Sequence, residues 1–206
     1  MASTDVISLI SGIIKNLEAT AEAYTIVNND KTLPEAFHEA GRGLPIVGEA
    51  LKTAETGLQK RDQAEDAQNA ISILGVSNER SKLSRGIFKD VSEAQETSRF
   101  ECYKAAVQSR GELVEMLVVE MMKDTYALAK DSAIEATMEP HIMALGDAID
   151  KLSKMESSVP NGQSGNTFSH WGSGDQFNAI GRGTQNINKG SGHQFTGVTF
   201  SGSVTF

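Results

Sequence analysis

Near its C-terminus the chain repeats itself three times without a gap. The copies are Gly172-Ser173-Gly174-Asp175-Gln176-Phe177-Asn178-Ala179-Ile180, Gly181-Arg182-Gly183-Thr184-Gln185-Asn186-Ile187-Asn188-Lys189 and Gly190-Ser191-Gly192-His193-Gln194-Phe195-Thr196-Gly197-Val198. The shared frame is Gly-x-Gly-x-Gln at a spacing of nine. Nine residues are too few for a globular repeat unit but suit one extended rung and one turn, so the frame predicts stacked β structure. Gly172, Gly181 and Gly190 recur where a rung must reverse, a position that glycine fills because it enters positive φ without penalty.

Composition decides between stacking and compact folding. Between residues 157 and 206 the charged residues are Asp175, Arg182 and Lys189, while Gly, Asn, Gln, Ser and Thr dominate and five of the eight Phe occur. So little aliphatic bulk cannot offset the ordering entropy of this segment, and the tail of an isolated monomer is expected to be disordered. Between chains the balance reverses: Asn and Gln amides form ladders, Phe rings stack, and each backbone group finds a partner above and below. Glycine-rich tails also serve as flexible linkers, but three uninterrupted frames favour a built repeat.

The register also spaces the charges. Asp175 shares a column with Thr184 and His193, Arg182 with Ser173 and Ser191, and Lys189 with Ile180 and Val198. Three rungs per chain at about 4.7 Å each would bring like charges together only every ~14 Å, beyond a Debye length of about 8 Å. Beyond the repeats, Val198, Phe200, Val204 and Phe206 alternate with polar residues, which adds a further strand signal. The Gly-x-Gly frames lack a following Gly-Lys-Ser/Thr and a strand-to-helix setting, so they do not read as a phosphate loop.

Residues 1–156 are of another class. The whole chain carries a net charge of -8, and the tail's +1 leaves -9 on this part. Its apolar positions recur at helical spacing over a length sufficient to bury a core. The expected fold is therefore an all-α helical bundle head, residues 1–156, followed by a linker and repeat tail, residues 157–206. Acidity without a Lys/Arg stripe argues against nucleic acid as a partner. No His-Glu-x-x-His, Gly-x-Ser-x-Gly, paired Cys or phosphate loop occurs, and His38, His141, His170 and His193 are scattered. Catalytic residues, metal ligands and cofactors are accordingly expected to be none. Cys102, the single cysteine, reads as a small buried hydrophobe and fits a reducing cytosol.

Punctuation predicts the helices. Val6, Ile10, Ile13 and Leu17 form a stripe widened by Ile7, Ile14 and Ala21, with Ser3, Thr4 or Asp5 as cap. Thr32-Leu33-Pro34-Glu35 reads as a capping box that starts a second helix. Gly41 and Gly43 weaken that helix, and Pro45 either kinks it or opens a third, ending near Leu58. A helix over 59–74 follows, another resumes after Val76 to Phe88, and the longest run is expected over 91–136. Pro140 should separate a last helix ending near Met155, with linker from Ser157 onward. The stretch Val6, Ile7, Leu9, Ile10, Ile13 and Ile14 is too short for a membrane span. It reads as a core-packed helix or as a candidate membrane or effector helix. Met116, Met121 and Met122 read as core, with a plastic interaction surface as the alternative.

The apolar first helix, with Leu33-Pro34-Glu35-Ala36-Phe37 and Leu44-Pro45-Ile46-Val47, resembles the SesA-type domain that fungi place at the front of NACHT and other NTPase receptors. The likeness is good over residues 7–58 and vague beyond. The tail resembles the sigma motif, an amyloid signalling motif of fungal NOD-like receptor systems. By that resemblance the motif residues are Gly172, Gly174, Gln176, Phe177, Gly181, Gly183, Gln185, Gly190, Gly192, Gln194 and Phe195. The middle repeat departs from its neighbours at Asn186 and Lys189, so three equal rungs and two rungs with an intervening arch both fit.

The resemblance implies a relay in which a NOD-like receptor with a matching motif oligomerises and templates the tail of a separate effector. It implies a non-enzymatic role in programmed cell death or incompatibility. The implied partners are the chain itself, as a fibril homo-oligomer, and the receptor, with membrane contact after activation. The implied location is the cytoplasm, moving to the plasma membrane on activation. The alternative is a structural self-assembling protein whose fibre is the product and which needs no receptor.

Overall fold

The computed structural model describes residues 2–59, 67–130 and 134–159. They belong to the first of the two units into which the chain divides, Met1–Gly165. The repeat lies outside the described residues, as do all eleven of its motif residues, Gly172 to Phe195.

Six α-helices make up the described part: α1 (Ala2–Val27), α2 (Glu35–Gln59), α3 (Ala67–Glu93), α4 (Arg99–Arg110), α5 (Val114–Ala129) and α6 (Glu135–Ser153). No strand occurs among the described residues. The expected helical bundle is what forms. α1 packs most extensively on α3 and also on α2; α5 packs on α2 and α3; α6 packs on α2 and α5; the short α4 packs on α3.

An aromatic group ties four helices together. Phe37 of α2 lies 4.6 Å from Phe88 of α3 and 5.0 Å, edge-on, from Tyr103 of α4, ring centre to ring centre. Tyr24 of α1 meets Phe88 edge-on at 5.8 Å. These are the offset and T-shaped arrangements that ring quadrupoles favour, worth about 0.5–1.5 kcal/mol per pair beyond the area buried. Around them Ile10, Ile13, Leu44, Leu51, Leu74, Leu117, Met121 and Met122 are fully buried.

Several local expectations are corrected. α1 already begins at Ala2, so Ser3, Thr4 and Asp5 lie inside its first turn instead of capping it. The Thr32–Glu35 capping box does not form: the Thr32 hydroxyl and amide both donate to Asp30 Oδ1, at 2.6 and 2.9 Å, and Glu35 pairs with Arg42. α2 still starts at Glu35, with its first carbonyl partner at Pro34. Of the two alternatives at Pro45, a kink or a third helix, the third helix does not form: Pro45 lies inside α2, where the burial of Leu44, Val47 and Leu51 on both sides of it offsets one lost hydrogen bond.

α3 runs unbroken through Gly75 and Val76, where two helices were expected. The run expected over 91–136 is instead divided among the end of α3, a 3-10 turn at Glu96–Ser98, α4, α5 and the start of α6. Gly111 makes the sharpest of these breaks, with φ 77° and its N–H donating to the Val107 carbonyl at 2.8 Å, a left-handed helix stop. Pro140 sits inside α6 and does not precede it.

Candidate functional site

Of the sequence-predicted site residues, only the α1 set is described. Val6, Ile10, Ile13 and Ile14 are buried, and Ile7 and Leu9 are half-buried. Val6, Ile10, Ile13 and Ile14 are part of the bundle core, so a membrane contact by these four requires α1 to leave the bundle. At about 1.5–3 kcal/mol per buried aliphatic side chain, the four fully packed residues alone oppose that release strongly. The seam with α3 is more polar. Asn16 donates to Ser81 Oγ at 3.0 Å, Arg85 donates to Asn16 Oδ1 at 3.3 Å, and Ser81 is buried there. No helix among the described residues is long and apolar enough to cross a membrane.

Met121 and Met122 are core, and Met116 is half-buried. Cys102 is half-buried and its thiol donates to the Asp90 carbonyl at 3.4 Å. Burial, with the Asp90 charge, pushes its pKa up, which disfavours the thiolate a nucleophile needs. His38 donates from Nε2 to the Asp30 carbonyl at 2.8 Å, which leaves Nδ1 to accept from the Tyr24 hydroxyl at 3.5 Å. His141 meets the Thr53 hydroxyl at 3.0 Å, beside a shallow depression lined by Lys52, Thr53, Thr56, Gly57 and Thr137. No group of three His, Cys, Asp or Glu suited to a metal occurs among the described residues.

Two polar nodes were not anticipated. In the first, the α1–α2 turn is fastened to α4: Asp30 Oδ2 accepts from Arg99 Nη1 at 3.0 Å while Thr32 holds Oδ1. In the second, Glu115 of α5 is buried and receives the segment that follows α6. Ser158 donates its N–H to Oε1 at 2.9 Å and its hydroxyl to the same carboxylate at 2.8 Å. Tyr103 Oη lies 2.6 Å from Ser158 Oγ and 3.2 Å from Glu115 Oε2. Because the serine proton is used on the carboxylate, Tyr103 is the donor to Ser158 Oγ, so two protons from Ser158 reach the carboxylate and the tyrosine proton supports the serine hydroxyl behind them. Burial, and then the Glu115 charge, push the Tyr103 pKa upward and keep it a donor.

Residues 157–159, expected as linker, therefore begin inside the packed head, with Ser158 and Val159 both buried. The sequence held one signal for this node. Glu115 interrupts the apolar run of α5 on the face that also carries Val118, Val119 and Met122, all buried, and a carboxylate there must find donors.

Comparison with known families accounts for both parts of the chain. The model of the SesA family, described as an N-terminal domain on NACHT NTPases and P-loop NTPases, matches residues 10–128. The chain belongs to that family. The SesA match runs from within α1 to the last turn of α5, well past the 7–58 stretch in which the resemblance was legible. A second family, described as a sigma domain on NACHT-NTPases, matches residues 165–206 and so contains all three Gly-x-Gly-x-Gln frames. No curated protein and no solved structure matches the chain. A SesA-type helical head is thus followed by a sigma domain, and both are domains found on NACHT NTPases.

Proposed function

We propose that the chain is a non-enzymatic effector or adaptor of a NACHT-receptor signalling relay in a fungal cell, leading to programmed cell death or incompatibility. One observation carries the reading: both domains occur on NACHT NTPases, yet here only residues 129–164 separate them. That stretch is shorter than an ordinary domain and holds α6, so no NTPase stands between the two. The chain supplies the head and the tail; a separate receptor supplies the nucleotide-driven oligomer.

In this reading the receptor's own sigma-type frames nucleate a cross-β assembly that templates the tail through Gly172, Gly181, Gly190 and the Gln and Phe columns. Assembly then concentrates heads that are inert when dilute. The buried α1 face favours heads that act folded, in the cytoplasm, as a platform for a further protein; delivery to the plasma membrane is the alternative outcome. The sigma domain's occurrence on NACHT-NTPases favours a receptor-driven relay over a purely structural fibre.

The test is co-expression with a NACHT NTPase that carries a Gly-x-Gly-x-Gln frame. Ligand-triggered receptor foci should recruit the chain and convert it to thioflavin-positive, seed-competent fibres. Recruitment that persists after all three Gly-x-Gly-x-Gln frames are deleted would overturn the relay.

A further inference from the structure

From the Glu115–Ser158–Tyr103 node we infer that the head ends in a built-in stop, which pins the chain at Val159 and keeps the bundle intact when the tail changes state. The role given to the stop rests on the assembling tail proposed above; the stop itself does not.

The geometry is that of an anchor. Glu115 is buried on the face of α5 that carries Val118, Val119 and Met122, and Ser158 provides its carboxylate with a backbone and a side-chain donor. Tyr103, fully buried among the aromatic rings, closes the node by donating to Ser158 Oγ at 2.6 Å. Peeling residues 157–159 away would strip the carboxylate of both Ser158 donors and open the cavity filled by Val159, which is 1% exposed. A buried acceptor left without its donors is among the more costly defects in a fold. Residues 157–159 are therefore tied to α4 and α5, inside the segment that matches the SesA family, although Ser158 itself lies beyond that match.

Reach makes the stop compatible with a fibre. Residues 160–171 separate Val159 from Gly172 and can span up to about 40 Å when extended. A head of this size has a radius of gyration of about 15 Å and so is roughly 40 Å across. Heads recurring every ~9–14 Å along an axis, for two or three rungs per chain, can stand around it at that reach without being dismantled. Clustering, and not unravelling of α6 or α5, is then what the head experiences.

Amide exchange on the full chain, soluble and after seeding with its own fibres, tests this. In the soluble chain the Ser158 amide should exchange at least 100-fold slower than in an unstructured peptide. Glu115→Gln, which returns an amide where an acceptor was needed, should lower that protection at least tenfold. Ser158→Ala, which keeps the N–H, should lower it less, with circular dichroism unchanged. Seeded fibres of the unaltered chain should keep Ser158, Leu117 and Tyr103 protected. Free exchange at Ser158 in the soluble chain overturns the anchor, and protection that is lost on seeding overturns the stop. Failure of seeds to convert the chain would count against the assembling tail alone, since the soluble arm still decides the anchor.

Discussion

The ring of Tyr24 lies over Gly41 so closely that a β-carbon at residue 41 would fall 2.6 Å from two of its ring carbons. The α1–α2 crossing is set by that absence of a side chain, because Tyr24 also meets Phe37 and Phe88 and has little freedom to retreat. Gly48, seven residues along the same helix, has nothing within 4 Å of its own virtual β-carbon.

The two glycines should therefore respond in opposite directions to the same change. Gly41→Ala overpacks the crossing and is expected to cost about 1–3 kcal/mol. Gly48→Ala gains helix propensity and is expected to stabilise by up to about 1 kcal/mol. Urea denaturation of the two variants beside the parent gives both signs in one experiment, and a stabilised Gly41→Ala would contradict the packing described.

Stability should fall on acidification partly through Asp30. Burial alone would raise its pKa, but the hydroxyl and amide of Thr32, the hydrogen bond from Arg99 and the guanidinium charge outweigh it and hold the carboxyl below the usual aspartate range. A depressed folded pKa contributes stability that is present above the unfolded value and is lost as pH falls through the folded one. Asp30→Asn should therefore destabilise the head at neutral pH and reduce the steepness of its acid unfolding at and below the ordinary aspartate pKa. Thermal midpoints across the acid range would show whether the two curves converge, as expected, or stay parallel.

The bundle was legible because its helices bury contiguous apolar faces, as Ile10, Ile13 and Leu17 do at helical spacing. Boundaries were less so, since helical periodicity continues across a break whenever the next helix presents its apolar face in similar phase. Gly111 was the available stop between α4 and α5, and its positive φ supplies the reason. Thr32 misled because Asp30 Oδ1 accepts both its hydroxyl proton and the amide proton that Glu35 would have accepted in a capping box, which holds Thr32 to the α1–α2 turn. The Glu115 node depended on a pairing 43 residues apart, which no local pattern carries. The tail was the reverse case: a repeat is local information, and the family match over residues 165–206 covers the same frames.

Templating of the tail should depend on its glycines more than on its serines. Replacing Gly172, Gly181 and Gly190 with Val is expected to abolish seeded conversion of the full chain, because a β-branched residue cannot take up the positive φ that a reversing rung requires. Ser173→Ala with Ser191→Ala should lengthen the lag only slightly. Thioflavin kinetics with matched seeds separate the two, and equal effects at Gly and Ser positions would mean that the repeat is read through something other than its turns.

Whether the head acts folded or by releasing α1 can be decided by stapling that helix in place. Ile10 and Ile13 are poor choices for charge substitution, since both are fully buried and an Asp at either would unfold the head before it tested anything. Gly12 of α1 instead faces α3, with its virtual β-carbon 3.5 Å from Asn78 Oδ1. Gly12→Cys with Asn78→Cys, in a Cys102→Ser background, allows the two helices to be joined by a short reducible cross-linker. The expected outcome is that the stapled chain still assembles on seeds and still triggers death in cells that receive it, with no liposome leakage before or after reduction. Death or leakage that disappears with the staple and returns on reduction would show instead that α1 leaves the bundle, and would make the buried face of Val6, Ile10, Ile13 and Ile14 the effector surface.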